Sequence, residues 1–123
     1  IEMAFRRYLG RGMPAYVPRF KLLPRQAIAL IREAGGVPVL AHPSRVVEHI
    51  PSLVQEGLLG LEVYYNEYLQ PEIDFLLGLA KKHDLVATGG TDYHGPGITT
   101  APAPGATFVP PTVIEALRLR AQC

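Results

Sequence analysis

Asp92 and His94 lie in a glycine-flanked run, Gly89-Gly90-Thr91-Asp92-Tyr93-His94-Gly95, that follows the apolar stretch Leu85-Val86-Ala87. Side chains alternate along a strand with period two, so an Asp and a His two apart at a strand end project to the same side. A carboxylate and an imidazole placed in this way can hold one metal ion together. A further donor stands in the same setting upstream, where Val37-Pro38-Val39-Leu40-Ala41 runs into His42-Pro43-Ser44-Arg45. Two strand ends that each deliver a donor suggest one convergent site. Arg45 follows His42 by three positions, and its planar guanidinium suits a two-pronged grip on phosphate.

Every one of these residues also has a plainer reading. His42 could be a hydrogen-bonded structural histidine, Asp92 could cap a turn, and Arg45 could be an exposed charge at a helix start. Glu62 could reach the site or pair with a neighbouring Lys or Arg. Tyr64, Tyr65, Tyr68 and Tyr93 could stack on a base, although tyrosines at strand ends more often pack the core or its rim. His49 and His83 lie among charges and read as surface residues.

The elements that must position these groups alternate. A short helix is expected over 3–9, stopped by Gly10, and an extended connector over 13–23, which holds Pro14 and Pro18. Pro24 suits the first turn of a helix in which Ala27, Ile28, Ile31 and Ala34 recur at helical spacing until Gly35-Gly36. Strands are then expected over 37–41, 61–65 and 85–88, with helices over 46–55, 71–83 and 112–121. Pro51 could split the helix over 46–55 into two turns. A Gly- and Pro-rich stretch over 95–111 reads as a long loop. Strands separated by helices of this length pair in parallel, so the fold class is α/β with about three βα units. In such folds chemistry gathers at the C-terminal ends of the strands, where His42, Asp92 and His94 fall.

The chain has 123 residues and is 48% hydrophobic, enough for one small domain with a core. The single cysteine, Cys123, excludes an intrachain disulfide and cysteine-based zinc sites. No apolar run reaches the roughly 20 residues that span a bilayer, and no charged-then-apolar leader is evident, so a cytoplasmic protein is expected. Residues 1–25 carry a net +5 and the remainder −4, although the whole chain is only +1. A basic segment beside a metal site suits a phosphate-bearing substrate; a solvated surface is the simpler explanation.

Taken in order, Ala4-Phe5 with Tyr8-Leu9-Gly10, the Ala34-Gly35-Gly36 turn, Ala41-His42-Pro43, Gly60-Leu61-Glu62-Val63-Tyr64-Tyr65 and Gly89-Gly90-Thr91-Asp92-Tyr93-His94-Gly95 resemble the polymerase and histidinol phosphatase (PHP) family. The likeness is greatest to its small stand-alone phosphoesterases of nucleotides and short oligonucleotides. That resemblance implies a distorted (β/α)7 TIM-like barrel with a cluster of two or three metals at its mouth. His42, Asp92 and His94 would be metal ligands and Arg45 a substrate contact. The family's His-x-His, Ser-Asp-Gly and Thr-Asp-His motifs, which supply most of the ligands, do not occur in this sequence. The chain therefore reads as the C-terminal half of such a barrel, with 1–23 the tail of a helical insertion and connector and 24–123 the barrel's βα units.

The expected function is that of a metal-dependent phosphoesterase, inactive as this portion alone and prone to self-association through its uncovered edge. All-N/O donors suit Mn²⁺, Zn²⁺ or Fe²⁺ without choosing among them. Two alternatives remain open at this level: a non-catalytic interaction module that keeps barrel-like βα units, and a metal hydrolase of amidohydrolase type.

Overall fold

The computed structural model describes residues 2–18, 20–96 and 101–121. Cys123 lies outside the described residues, as do Arg19 of the basic segment and 97–100 of the expected long loop. Three strands, β1 (Val39–Leu40), β2 (Gly60–Tyr65) and β3 (Val86–Gly90), form a parallel sheet in that order. β2 lies in the centre, pairing Leu61 with Leu40 on one side and with Ala87 on the other. This agrees with the α/β class and the three βα units; a closed barrel is a larger object than these three strands.

Helix α1 (Glu2–Ala4) runs directly into a five-residue π-helical stretch, Phe5–Leu9, and Gly10 ends it by donating its N–H to the Phe5 carbonyl at 2.7 Å. All of residues 2–9 are exposed. Helix α2 (Pro24–Glu33) begins with proline in its first turn, where the missing N–H costs nothing, and Gln26 reaches back to accept the Leu23 N–H at 2.9 Å. Of its expected apolar face only Ile28 is buried, while Leu30 and Ile31 remain exposed.

β1 is shorter than the 37–41 expected. Pro38 has no N–H to donate to a ladder, although its carbonyl accepts from Leu59 and Gly60, and at the other end His42 turns left-handed. The helix expected over 46–55 is instead a 3-10 turn, Val47–His49, followed by α3 (Ile50–Gln55), with a further 3-10 turn, Pro43–Arg45, ahead of it. Pro51 accounts for the change, because it is accommodated in the first turn of α3 and would break a helix passing through it. Helix α4 (Gln70–Lys82) and α5 (Thr112–Ala121) lie where expected.

The core forms between the sheet and these helices. Ile50 of α3, Leu61 and Val63 of β2 and Leu76 of α4 are fully buried, with Ile28, Leu53, Leu58, Ala80 and Leu85 packed around them. Burying each large side chain contributes about 1.5–3 kcal/mol. Arg120 of α5 donates to the Asp84 carbonyl at 2.9 Å and pairs with its carboxylate at 2.8 Å, tying the last helix to the turn before β3. Among the described residues no helix is long and apolar enough to cross a membrane.

β3 runs to Gly90, two residues beyond the expected end, and its pairing with β2 contains an irregularity. Glu62 faces Thr88 and Tyr64 faces Gly89, so β2 advances two residues while β3 advances one. A Cβ on Gly89 would lie 2.3 Å from the Tyr64 carbonyl oxygen, so only glycine allows this approach. The gap at Gly89 is thus filled by Tyr64. Gly90 does face open space.

Candidate functional site

His42, Asp92 and His94 come together beyond the C-terminal ends of β1 and β3. The pleat does not do it, contrary to the period-two expectation, because the chain has already left β3 at Gly90. Asp92 has a left-handed backbone (φ 53°), and His94 folds back so that Nδ1 lies 2.6 Å from the Asp92 carbonyl oxygen. The turn places the Asp92 carboxylate between two imidazoles, with Oδ2 3.7 Å from His42 Nε2 and Oδ1 3.7 Å from His94 Nδ1. All three side chains remain open to solvent.

His42 is left-handed as well (φ 48°, ψ 48°). For a residue with a Cβ this conformation costs roughly 1–2 kcal/mol, and a following proline further favours extended backbone. Among the described residues three non-glycines have positive φ, and two of them are His42 and Asp92. Strained backbone that the surroundings hold in place is a mark of functional sites.

Several groups surround His42. Its backbone N–H donates to Glu62 Oε2 at 2.9 Å, and the same oxygen lies 3.7 Å from Nδ1. Its ring meets Tyr65 edge-on at 5.2 Å, Tyr65 meets Tyr68 edge-on at 5.1 Å, and the Ser44 hydroxyl donates to the Tyr68 hydroxyl at 3.2 Å. The contacts run from His42 through two tyrosines and back to the turn that follows it. Burial first, then the Glu67 carboxylate that accepts from its hydroxyl, and then the charges of Asp92 and Glu62 push the Tyr65 phenol above its ordinary range.

On a regular strand, residues three apart face opposite sides, yet Glu62 and Tyr65 both touch His42. The irregularity between Glu62 and Tyr64 accounts for this, since one extra residue resets the alternation.

A cavity of about 390 Å³ opens here, lined by His42, Ser44, Arg45, Tyr65, Glu67, Tyr68, Glu72 and Asp92. Arg45, the last residue of the Pro43–Arg45 turn, thus shares a cavity with two of the candidate ligands; His94 stands outside its lining. With three carboxylates against one guanidinium, the wall favours a cation. A phosphate would enter only with cations to offset those charges. The donors are all nitrogen and oxygen, as a hard or borderline divalent ion requires. They form pairs, and among the described residues no group of three or more His, Cys, Asp or Glu side chains is gathered closely enough to hold a metal ion.

The other sequence expectations fall as follows. Glu62 meets His42 and, among the described residues, neither Lys nor Arg. Tyr65 is buried and Tyr68 packs on it, which is rim packing and not an open stacking face. His49 is exposed, whereas His83 caps the C-terminus of α4 half-buried. Of the basic segment, Arg6 pairs with Glu2 at 2.9 Å, and Arg25 lines a different cavity with Leu40, Val46 and Leu53. Glu67 and Glu72 were missed by sequence reasoning. Glu67 lies just past the end of β2, a position that could have drawn notice.

No family model matches the chain. It is 38% identical over 73 residues to the phosphoribosyl 1,2-cyclic phosphate 1,2-diphosphodiesterase of Eggerthella lenta, across 58% of this chain and 28% of that protein. It is 33% identical over 99 residues to the 5'-3' exoribonuclease Rnm of Escherichia coli, across 75% of this chain and 34% of that one. Against the 3',5'-nucleoside bisphosphate phosphatase of Chromobacterium violaceum the identity is 33% over 104 residues, 79% of this chain and 36% of the relative. Two solved structures are similar over 97% of this chain and 44% of theirs. One is assigned as a metal-dependent phosphoesterase from Bifidobacterium adolescentis (TM-score 0.71, 29% identity). The other is an amidohydrolase from Chromobacterium violaceum with bound sulfate and no metal (TM-score 0.67, 28% identity). The chain thus spans about a third of the length of the curated relatives it matches.

Proposed function

We propose that this chain is part of a metal-dependent phosphoesterase of the PHP family, acting on phosphate esters of nucleotides or short oligonucleotides. Its three parallel βα units form one arc of a larger (β/α)7 barrel. The observation that carries this reading is the Asp92 carboxylate held between His42 and His94 at the ends of parallel strands. The relatives named above support it, since three of them cleave phosphate esters or RNA by name.

His42, Asp92 and His94 contribute donors to a divalent metal site that other parts of the barrel complete. An ion held there supplies charge to offset the phosphate and makes a bound water more acidic. Within this chain, Asp92 binds through its carboxylate and His42 through Nε2. His94 leaves Nε2 free, because Nδ1 is turned to the Asp92 carbonyl. Arg45 orients the phosphate from the cavity wall, and Glu67 and Glu72 discourage an anion that arrives without metal. The open edge of β1, with Val39 exposed beside it, is where further strands would pair, and it makes self-association of this portion the expected behaviour.

The name of the second solved structure makes the amidohydrolase alternative the next reading, although its bound sulfate has the shape of a phosphate. Calorimetric titration with Zn²⁺ tests the site itself, with weak binding expected in the parent chain and lost in Asp92→Ala and in His94→Ala. Binding unchanged in both variants would refute the assignment. Assaying the full-length protein on a phosphate ester and on a cyclic amide separates the two chemistries.

A further inference from the structure

Glu62 has no role in the function proposed above, yet its surroundings call for one. Its side chain is only 16% exposed, and it stands on the central strand between Leu61 and Val63, both fully buried. A carboxylate in such a place is costly unless it is matched, and among the described residues it meets no lysine or arginine. Among the described residues its one close hydrogen bond, 2.9 Å, is accepted from the backbone N–H of His42.

We propose that Glu62 is the positioning residue of His42, holding the left-handed turn that aims the imidazole at Asp92. Left to its own preferences, a histidine before proline is extended, and the chain after β1 would carry the ring elsewhere. At φ 48° and ψ 48° the N–H of His42 is instead presented to β2, where an ionised acceptor forms a stronger bond than a neutral one would. Tyr65 fixes the other end of the same residue by meeting the ring edge-on. The backbone and the ring of His42 are therefore both held from β2, and Nε2 is the part left facing Asp92 at 3.7 Å. The consequence for metal binding rests on the site proposed above, whereas the hold on the His42 turn does not.

The test uses the whole 123-residue chain with two length-matched variants, Glu62→Gln, which keeps an acceptor oxygen, and Glu62→Met, which has none. By nuclear magnetic resonance, Glu62→Met should move the His42 Cα and Cβ shifts from left-handed towards extended values and remove the protection of its amide from exchange. The amides of Leu61 and Val63 should keep theirs, and Glu62→Gln should restore the parent pattern at His42. In Zn²⁺ titration, Glu62→Met should weaken binding by roughly 10-fold or more, the scale for groups that orient a metal ligand. Added to His42→Ala, it should cause no further loss. Unchanged His42 shifts in Glu62→Met would overturn the proposal. So would loss of protection at Leu61 and Val63, which would make Glu62 a support of the sheet as a whole. A parent chain that binds no Zn²⁺ would count against the metal site alone, with the resonance shifts still deciding the role of Glu62.

Discussion

Replacing Gly89 with alanine tests the pairing of β2 with β3 on which the geometry around His42 depends. The new Cβ would lie 2.3 Å from the Tyr64 carbonyl oxygen and 2.5 Å from Tyr64 Cβ. Both obstructing atoms are backbone or fixed directly to it, so no change of rotamer relieves the overlap and the strands themselves must part. Overpacking of this kind costs about 1–3 kcal/mol, and the upper half of that range is expected because the strain falls on the ladder. Gly90→Ala is the control one residue on, where a Cβ would meet nothing within 4 Å. It should be neutral or slightly stabilising, within about 0.5 kcal/mol. In urea, with a slope of about 1–3 kcal/mol per molar for a small domain, Gly89→Ala should lower the midpoint by roughly 1 M and Gly90→Ala should leave it in place. Equal midpoints for the two variants would refute the close approach of Tyr64 to Gly89.

In the full-length enzyme Arg45→Lys keeps the charge but loses the two-pronged geometry, so kcat/KM should fall by about one to two decades, on the roughly 1.5–3 kcal/mol scale of a hydrogen bond to a charged group. Its melting temperature should hold; a large stability loss, or full activity, would make Arg45 a structural residue. The 123-residue chain alone should hydrolyse a generic phosphate ester with Mn²⁺ no faster than background, since no three donors are gathered among its described residues, and turnover at an intact enzyme's level would contradict this. Tyr65 binds its proton more tightly in the folded chain than in the unfolded one, where the ordinary value is 10.0. Its contribution is therefore fully present below that pH and is lost as pH rises through the raised value, because unfolding then releases a proton. Urea midpoints measured either side of pH 10 should fall less steeply in Tyr65→Phe than in the parent, and identical slopes would dismiss the shift.

Periodicity and punctuation exposed most of the architecture. The helix expected over 71–83 is α4, and the strands expected over 37–41, 61–65 and 85–88 are the three that pair in parallel. The misses have local causes. Pro38 and Pro51 trimmed β1 and delayed α3, and the reach of β3 through Gly89-Gly90 was hidden because glycine is a poor strand former in isolation. The convergence of His42 with Asp92 was anticipated from their residue types and their places after strands. The means was not, since left-handed backbone at a histidine and an aspartate follows from tertiary contacts that no short window contains. Glu62 was weighed as a possible site group but its partner was not foreseen, because that partner lies 20 residues away across the sheet.

The extra residue in β2 makes the neighbourhood of His42 a matter of counting as well as of chemistry. Straightening β2 without losing a residue would turn Tyr65 to the opposite side from Glu62, whereas deleting Val63 or Tyr64 would leave the two residues two apart and on one side. A change that flattens the irregularity while keeping the residue count would therefore take one of the two holds off His42 without touching a candidate ligand. Among homologues of this chain, the glutamate and the second tyrosine should stand three apart where the strand keeps the extra residue and two apart where it does not.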